Sequence, residues 1–232
     1  KLGCGVHGCV YGGRYRGQDV AIKQIDEKHY NMFRREIEVF QKFKACKQII
    51  GMVAHSRNKN WIVVPVKSNG CLHTYLWRAQ CAHREVSLGQ KKKIALDICE
   101  GVAALHGEGY VHGDITSTNV LINSDGCSAC LCDFSLSRRS QNIISFGNQM
   151  YSAPEYHDNQ PYTMASDIFS LGVLLFELFF QNPHSPNGTA FLSKKKNICE
   201  MYYACRDDVN TKTATLLDLF TFPDQCDTQL KS

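Results

Sequence analysis

The sequence predicts an α+β fold with two lobes, a small strand-rich lobe followed by a larger and mainly helical one. Strand-like segments and glycine-containing turns dominate residues 1–66, and helical periodicity dominates the chain beyond residue 71. A polar stretch at 67–71 lies between these regions and is predicted to be a hinge. With 232 residues, 44% of them hydrophobic, the chain is long enough to form a core and a cleft, and we expect a single domain over 1–232.

The small lobe is predicted to contain several strands and one helix. The glycine-rich start of the chain and the segment 19–25 have the pattern of strands joined by a turn. Apolar residues at intervals of three or four predict a helix over 30–44. Two more strands are predicted at 49–53 and 61–66, with a turn between them.

The large lobe, 72–232, is predicted to be built on two helices. Residues 91–106 carry aliphatic side chains along one face, and residues 168–180 are apolar nearly all round, as in a buried helix. Short strands at 120–122 and 129–131 flank an Asn-Ser-Asp-Gly turn and form a predicted hairpin. Residues beyond 182 have no readable periodicity.

Composition argues against several classes of function. The net charge of +4 is small, so we expect no nucleic-acid partner. The longest apolar run, 168–180, is too short to cross a bilayer and contains Glu177, so we expect no membrane association. The twelve cysteines are irregularly spaced, and we expect free thiols in a reducing, intracellular compartment. Cys127 and Cys130 form a CxxC pair, but no clear second pair accompanies it, which favours buried thiols over zinc ligands.

The first residues have glycines at the spacing of a phosphate-binding loop. Gly3, Gly5 and Gly8 lack a side chain that would keep the backbone away from a phosphate chain. A dinucleotide-binding loop has the same spacing, but it opens a helix and is followed about 20 residues later by an acidic residue. Here the loop leads into a predicted strand and then into a Val-Ala-Ile-Lys segment that ends at Lys23. This order favours a glycine loop paired with a phosphate-binding lysine.

Further motifs follow the glycine loop and Lys23 along the chain. Taken together, they resemble the catalytic domain of eukaryotic protein kinases over residues 2–180. The resemblance implies the bilobal protein-kinase fold, with ATP and Mg²⁺ bound in the cleft. It also implies that this domain is incomplete at its N-terminus, because the family has more strand before the glycine loop. The motifs are His-Gly-Asp-Ile-Thr-Ser-Thr-Asn at 112–119, Asp-Phe-Ser at 133–135, Ala-Pro-Glu at 153–155 and Asp-Ile-Phe-Ser-Leu-Gly at 167–172.

The resemblance assigns nucleotide-binding roles. Lys23 would bind the α- and β-phosphates, and Glu36 on the predicted helix would be its ion-pair partner. Glu38 is the competing candidate, but it lies on a different face of that helix, so only one of the two can face the cleft. The other residues predicted to contact the nucleotide are Gly3, Gly5, Gly8, Val10, Ala21, Val64, Pro65, Val66, Lys67 and Leu121, with 65–67 beside the adenine.

The resemblance also assigns the residues of the transfer step. Asp114 would orient the acceptor hydroxyl and take its proton. Asn119 and Asp133 would hold Mg²⁺ through their side-chain oxygens. Asp167 would support the segment 112–119, called the catalytic loop below. Arg206 is a candidate partner for Glu155.

The sequence departs from the family at positions that matter for regulation and specificity. Gly113 stands where an arginine usually docks a phosphorylated activation segment, so we expect that switch to be absent. Thr116 stands where serine/threonine kinases have a lysine that neutralises the transferred phosphate, which leaves the acceptor hydroxyl class open. Ser135 replaces the glycine of the metal-binding triplet and is expected to restrict movement of that loop.

Within the family, residues 112–122 and 132–137 resemble the protein kinases encoded by herpesviruses. That resemblance implies a serine/threonine kinase of the virion tegument and host nucleus that also phosphorylates nucleoside analogues; without it, a cytoplasmic location is expected. The function predicted is ATP-dependent phosphate transfer to serine and threonine hydroxyls of protein substrates. Two alternatives remain open, a pseudokinase scaffold that binds nucleotide without turnover and a small-molecule kinase.

Overall fold

The fold is that of a computed structural model, which describes residues 1–5, 7–139, 148, 150–153 and 161–180 of the chain. In chain order the described strands are β1 (Gly3–Gly5), β2 (Gly8–Tyr15), β3 (Gln18–Ile25), β4 (Ala54–Ser56), β5 (Trp61–Pro65), β6 (Tyr110–Val111), β7 (Val120–Ile122), β8 (Ala129–Leu131) and β9 (Arg138–Arg139). The described helices are α1 (Tyr30–Lys42), α2 (Leu72–Cys81), α3 (Leu88–Gly107) and α4 (Met164–Phe180). A strand-rich region with one helix is thus followed by a mainly helical region, and the predicted α+β class is confirmed.

The first five strands form one antiparallel sheet in the order β1-β2-β3-β5-β4. Strands β2 and β3 are joined at Arg16 and Gly17, whose φ angles of 49° and 81° give the twist that a two-residue hairpin needs. The strand register places Val10 opposite Lys23. Since side chains directly opposite each other share a face of a sheet, both point to the same side.

Helix α1 packs an apolar face against the sheet. Phe33, Ile37 and Phe40 on this face are buried, and Glu36 is buried among them. The helix ends at Lys42, two residues before the predicted end at 44, and the N–H of Phe43 closes the last turn. The periodicity of the sequence therefore predicted which residues face inward, and erred only at the end of the helix.

The helical region contains two helices that begin earlier than predicted and one that was not predicted. Helix α3 begins at Leu88 rather than 91, because Ser87 and Gln90 form a capping box that starts the helix about one turn earlier. Helix α4 begins at Met164, ahead of the predicted 168. Helix α2 was missed, although its buried residues recur at helical spacing: Leu72, Tyr75, Leu76 and Ala79.

The predicted strand at 49–53 is wrong. Ile49 and Ile50 are buried, but they pair with β8 rather than with β5: Ile49 bridges Leu131, and the N–H of Ile50 donates to the Leu131 carbonyl at 2.9 Å. The strand that pairs with β5 begins only at Ala54. The apolar β-branched residues of this segment thus indicated burial correctly, but they did not indicate with which segment its backbone would form hydrogen bonds.

One apolar core connects the two regions. Phe33 and Phe40 of α1 belong to the same buried cluster as Ile98 of α3 and Leu174 of α4. Such continuity fixes the sheet relative to the helices and so defines the cleft between them. Among the described helices, none has the length and apolar character needed to cross a membrane.

The expectation of free thiols is wrong for one pair of cysteines. Cys4 and Cys9 are joined by a disulfide across the β1–β2 hairpin, where they lie directly opposite each other in the strand register. Spacing along the chain gave no sign of this pairing, because it depends on where the hairpin turns. The free cysteines among the described residues are Cys46, Cys71, Cys81, Cys99, Cys127, Cys130 and Cys132.

Candidate active site

A cavity of about 610 Å³ lies between the five-stranded sheet and the helical region. Val10, Ala21 and Val64 line it from the sheet, and Leu121 of β7 lines it from the opposite side. These four side chains make an apolar slot at one end, and Lys23, Glu36 and Asp133 lie at the other. A flat apolar ring with a polyanionic tail would match this division between an apolar and a charged end.

Most of the predicted site residues meet at this cavity. Gly3, Val10, Ala21, Lys23, Glu36, Val64, Pro65, Val66, Lys67, Asn119, Leu121 and Asp133 all line it. Gly5, Gly8 and Asp114 are not among its lining residues. Asp114 nevertheless connects to the cavity through Asn119, as described below.

Lys23 is held by two carboxylates. Its Nζ donates to Glu36 Oε2 at 2.8 Å and to Oε1 at 3.0 Å, and to Asp133 Oδ1 at 2.7 Å. Glu36 is 2% exposed, whereas the side chain of Asp133 is 37% exposed and opens onto the cavity. The ammonium is therefore fixed from behind by a buried partner and faces a second, accessible one.

The charges of this cluster depend on each other. Burial lowers the pKa of Lys23, but the carboxylates of Glu36 and Asp133 outweigh burial and the pKa is raised overall. Burial raises the pKa of Asp133, but Lys23 outweighs burial and lowers it overall. Because one ammonium is shared by two carboxylates, burial dominates at the more enclosed one and raises the pKa of Glu36 to about 7.

Glu38 has a different partner. Its Oε1 accepts a hydrogen bond from the hydroxyl of Tyr110 at 2.6 Å, on the side of α1 away from Lys23. The structure thus places Glu36, and not Glu38, in the cavity, as the separation of the two residues around the helix predicts. Glu38 is a natural control for substitutions at Glu36.

The catalytic loop brings Asp114 and Asn119 together. The Nδ2 atom of Asn119 donates to Asp114 Oδ2 at 2.7 Å and to the Asp114 carbonyl at 2.9 Å. The backbone N–H of Asn148 also approaches Asp114 Oδ1, at 3.4 Å. Burial raises the pKa of Asp114, in part against the opposing effect of His112. Both bonds of Asn119 use its nitrogen, which directs its amide oxygen elsewhere.

Asp167 supports the catalytic loop from below, from the first turn of α4. Its carboxylate accepts bonds from the backbone N–H groups of His112, at 2.7 Å, and Gly113, at 3.0 Å. His106 and Tyr162 complete its surroundings at 2.9 Å each, and the carboxylate is fully buried. Two of these four partners are backbone groups of the catalytic loop, so the carboxylate holds that loop in place.

Gly113 has a conformational reason to replace the family's arginine. Its φ is +83°, a left-handed conformation that glycine adopts without strain. A β-carbon there would lie 3.1 Å from the Leu136 carbonyl oxygen, so a side chain would have to move the segment after the Asp-Phe-Ser motif. The same glycine removes the cation on which a phosphate would dock.

Aromatic rings connect α1 to the catalytic loop. The ring of Phe134 is fully buried and lies 5.5 Å from Phe40 and 5.2 Å from His112, centroid to centroid. Next to Phe134, the N–H of Ser135 donates to Asp133 Oδ1 at 3.3 Å. Because Phe134 is packed between two elements, Asp133 is held in its position at the cavity.

Gly8 is required by the packing of the sheet. Its φ is +149°, and a β-carbon at this position would lie 1.9 Å from the Gln24 carbonyl oxygen. Glycine is needed there for β2 to approach β3, whatever the hairpin binds. By contrast, a β-carbon at Gly3 or Gly5 would meet no atom within 4 Å.

A buried polar network that includes Ser117 of the catalytic loop was not predicted. Ser117 Oγ donates to Glu177 Oε1 at 2.9 Å, and the hydroxyl of Tyr151 bonds to both Ser117 and Glu177. His73 Nδ1 lies 3.6 Å from the same carboxylate. The sequence did contain a sign of this network: Glu177 is a carboxylate inside an otherwise apolar helix, and a buried carboxylate needs polar partners.

Further cavity residues were missed on the side of α2. Cys71, Thr74 and Arg78 line the cavity at a spacing of three and four, which marks one face of a helix. The predicted residues Pro154, Glu155 and Arg206 lie outside the part of the chain that the structure describes.

The oxygen donors at the cavity fit a magnesium ion. Asp133 offers a partly exposed carboxylate, and Asn119 offers an amide oxygen that its bonds to Asp114 leave unused. Both residues line the cavity, and the backbones of Cys132 and Asn119 are bonded at 2.9 Å. Carboxylate and amide oxygens are the donor types that Mg²⁺ prefers.

Comparison with known proteins agrees with this geometry. A family model described as protein kinase domain matches residues 1–227. Serine/threonine-protein kinase PLK4 of Nematostella vectensis is 30% identical over 197 residues, which is 78% of this chain and 20% of that protein. Serine/threonine-protein kinase TIO of Arabidopsis thaliana is 34% identical over 195 residues, or 78% of this chain and 14% of the relative.

Relatives that are named tyrosine-protein kinases have a similar identity to this chain. Tyrosine-protein kinase TXK of Homo sapiens is 33% identical over 190 residues, which is 77% of this chain and 35% of that protein. The chain thus spans at most 35% of the length of these three relatives.

Proposed function

The chain belongs to the protein kinase family, and from this premise we propose that it transfers the γ-phosphate of ATP to serine and threonine hydroxyls of protein substrates. One observation carries the proposal: Lys23 Nζ lies 2.7 Å from Asp133 and 2.8 Å from Glu36 in the wall of a cavity that also contains Asn119. A cation and two oxygen donors at one end of an apolar slot suit a metal-bound triphosphate.

Each residue of the cavity has a distinct task in this proposal. The adenine lies between Val10 and Ala21 on one side and Leu121 on the other. Lys23, oriented by Glu36, binds the α- and β-phosphates, and Asp133 and Asn119 hold Mg²⁺. The bound metal neutralises negative charge on the phosphates, so that little covalent chemistry is left to the protein.

Asp114 acts on the acceptor. Its carboxylate receives the hydrogen bond of the substrate hydroxyl, orients that oxygen toward the γ-phosphorus and takes the proton as the new bond forms. Asn119 at 2.7 Å and the support of the loop by Asp167 keep the carboxylate in position. Such positioning contributes to catalysis because the reacting atoms are already aligned when the substrate binds.

The decisive experiment replaces Asp114 with asparagine. We expect Asp114→Asn to lower the rate of phosphate transfer to casein by about 10²–10⁴-fold, the usual contribution of a positioned general base. Binding of Mg²⁺-ATP should stay within about twofold of wild type, because Asp114 is not among the residues that line the cavity. Asp125→Asn, in the exposed turn between β7 and β8, is the matched control. Full activity of Asp114→Asn would refute the proposal.

The choice of serine and threonine rests on the serine/threonine kinases among the relatives and on the herpesvirus-like loop. A peptide library with serine, threonine or tyrosine as the acceptor tests it directly. We expect label on serine and threonine peptides. Phosphate transfer to tyrosine peptides alone would refute this part of the proposal and show that the acceptor is a tyrosine hydroxyl.

A pseudokinase is the second candidate function, and the catalytic loop itself favours it. Residues 112–119 contain no lysine or arginine, and the Thr116 hydroxyl bonds to that of Thr118 at 2.8 Å. A loop without a cation gives no direct neutralisation of the transferred phosphate. Nucleotide binding without Mg²⁺-dependent transfer, to any acceptor of the peptide library or to a nucleoside analogue, would establish the scaffold function instead.

The herpesvirus resemblance of residues 112–122 and 132–137 adds a proposal about location. On this basis the chain acts in the nucleus of a host cell and is carried in the virion tegument; otherwise it acts in the cytoplasm. The relatives named above come from a sea anemone, a plant and a human, and do not support the viral part. Fluorescence microscopy of the tagged protein in cultured cells, together with protein analysis of purified particles, tests it.

A further inference from the structure

The glycine-rich hairpin carries a covalent bond that its role in the cavity does not require. Cys4 of β1 and Cys9 of β2 are joined by a disulfide, directly opposite each other between the pairs Gly3–Val10 and Gly5–Gly8. Cys4 is exposed and Cys9 is half-buried. The sulfur atoms are therefore within reach of small oxidants and reductants, unlike the buried thiols of Cys99 and Cys130.

The disulfide lies on the outer face of the hairpin. Gly3 and Val10 line the cavity, and side chains alternate between the faces of a strand. The next pair toward the tip, Cys4 and Cys9, therefore points to the opposite face. The register of β2 with β3 agrees, because Cys9 lies opposite the exposed Gln24, whereas Val10 lies opposite Lys23 of the cavity. The bond can form and break without filling the cavity.

We propose that Cys4 and Cys9 form a reversible redox switch on this hairpin, closed by a hydroperoxide and opened by a dithiol reductant. One thiolate attacks a peroxide oxygen, breaks the O–O bond and becomes a sulfenic acid, with hydroxide as the leaving group. The second sulfur then attacks the sulfenic sulfur and displaces water. Two thiols and hydrogen peroxide thus give one disulfide and two waters, and two electrons pass from sulfur to oxygen. A dithiol reverses the change by thiol–disulfide exchange.

Closing the switch restricts the backbone of the hairpin. All three residues of β1 are exposed, two of them are glycines, and the strand pairs with β2 alone in the sheet. Glycine has the greatest backbone freedom to lose, so the reduced hairpin must be ordered whenever phosphates bind beneath it. The disulfide orders it in advance, and a binding site ordered in advance binds its ligand more tightly. This step rests on the proposed nucleotide site.

The test compares nucleotide binding in the two redox states of the full chain. Titration calorimetry with Mg²⁺-ADP is carried out after treatment with hydrogen peroxide and after treatment with dithiothreitol. We expect a Kd about ten-fold lower in the oxidised protein, as if roughly one backbone residue were ordered in advance. Peptide mapping after alkylation should find Cys4 linked to Cys9 in the first sample and both alkylated in the second.

Two variants separate this switch from other thiols. Cys71 lines the same cavity and remains in the Cys4→Ser, Cys9→Ser double variant, so any response of Cys71 to peroxide persists there. The double variant should bind Mg²⁺-ADP equally in both redox states, with the affinity of the reduced wild type. Cys81→Ser, at an exposed free cysteine, should respond as wild type does.

The outcomes distinguish this proposal from the proposed function. A chain that binds no nucleotide in either state contradicts the kinase proposal, whatever the state of Cys4 and Cys9. Equal affinity in the two states of the wild type, a response that persists in the double variant, or no Cys4–Cys9 peptide after oxidation would each overturn the switch. A bond that dithiothreitol leaves intact in the folded protein would overturn its reversibility and the proposal with it.

Discussion

Two aspartates of this protein, Asp133 at the cavity and Asp167 beneath the catalytic loop, are kept ionised by different surroundings. Burial raises the pKa of both, and in both it is outweighed, so each pKa lies below its usual value. At Asp133 the opposing influence comes first from the Lys23 ammonium. At Asp167 it comes first from hydrogen bonding with His106.

The difference lies in what remains for a ligand. Asp167 is fully buried, and its donors are two backbone N–H groups, an imidazole and a phenol. The side chain of Asp133 is 37% exposed, and its main partner is the ammonium of Lys23, which it shares with Glu36. A carboxylate whose neighbours are all buried donors supports the structure, whereas a partly exposed one can also bind a metal ion. Exposure and the kind of donor therefore separate a supporting aspartate from a ligand-binding one.

The largest expected effect is on stability, from Asp167→Asn. The amide removes the buried charge and keeps only one acceptor oxygen, so its NH2 group must face the backbone N–H of either His112 or Gly113. We expect a loss of about 3–5 kcal/mol in the free energy of unfolding, the usual cost of breaking a buried charged network. Urea unfolding followed by circular dichroism measures it. A loss no larger than that of Asp125→Asn, in an exposed turn, would contradict the supporting role.

The next effect should be on activity alone, from Asp133→Asn. Lys23 keeps Glu36 as a partner, so the free energy of unfolding should change little. Phosphate transfer should fall by about 10²–10³-fold, as expected when one group that stabilises transition-state charge is removed. Steady-state assays over a range of Mg²⁺ concentrations, with unfolding measured in parallel, test both parts. A large loss of stability with activity retained would reverse the assignments of Asp133 and Asp167.

A smaller effect is expected at the buried partner of Lys23. Glu36→Gln leaves Lys23 with one neutral acceptor oxygen in place of two carboxylate oxygens, so Lys23 is less firmly oriented, and Mg²⁺-ATP should bind about ten-fold more weakly. Glu38→Gln is the matched control, because Glu38 bonds to Tyr110 outside the cavity. Titration calorimetry on both variants decides. Equal weakening by both substitutions would remove the special role of Glu36.

A further effect is a dependence of stability on pH that originates at Glu36. Its pKa is about 7 in the folded protein against 4.5 for an ordinary glutamate, so between these values the folded form holds the proton more tightly. Stability from this proton is therefore complete below pH 4.5 and is lost as the pH rises through 7. We expect the unfolding free energy of wild type, minus that of Glu36→Gln, to decrease as the pH rises from about 5 to about 8. Urea titrations at each pH measure both values. A difference that stays constant or grows would show that Glu36 is charged throughout.

Local pattern predicted much of the fold. The 3.6-residue period gave the buried face of α1 and placed Glu36 and Glu38 on different sides of it. The same reasoning failed where backbone partners decide the structure. Residues 49–53 have the composition of a strand, but Ile50 bonds to Leu131, which is 81 positions away. No local pattern reports which distant carbonyl an N–H will find.

The candidate site was likewise predicted in part. The order of motifs identified Lys23, Asn119 and Asp133, which line one cavity in the structure. The network of Ser117, Tyr151 and Glu177 was not found, because its three members come from separate segments and only Ser117 belongs to a motif that was recognised. The disulfide between Cys4 and Cys9 was likewise missed, since its formation depends on the register of a hairpin.

By itself, the amino-acid sequence determined the family, the α+β class and the identity of the charged residues, because these follow from residue type and spacing along short segments. Tertiary structure alone decided that Lys23 meets Asp133, 110 positions away, that Asp167 is surrounded by donors, and that Cys4 lies opposite Cys9. The physical reason is that periodicity determines which way a side chain points on its own element. What it meets there depends on how the shared core packs one element against another.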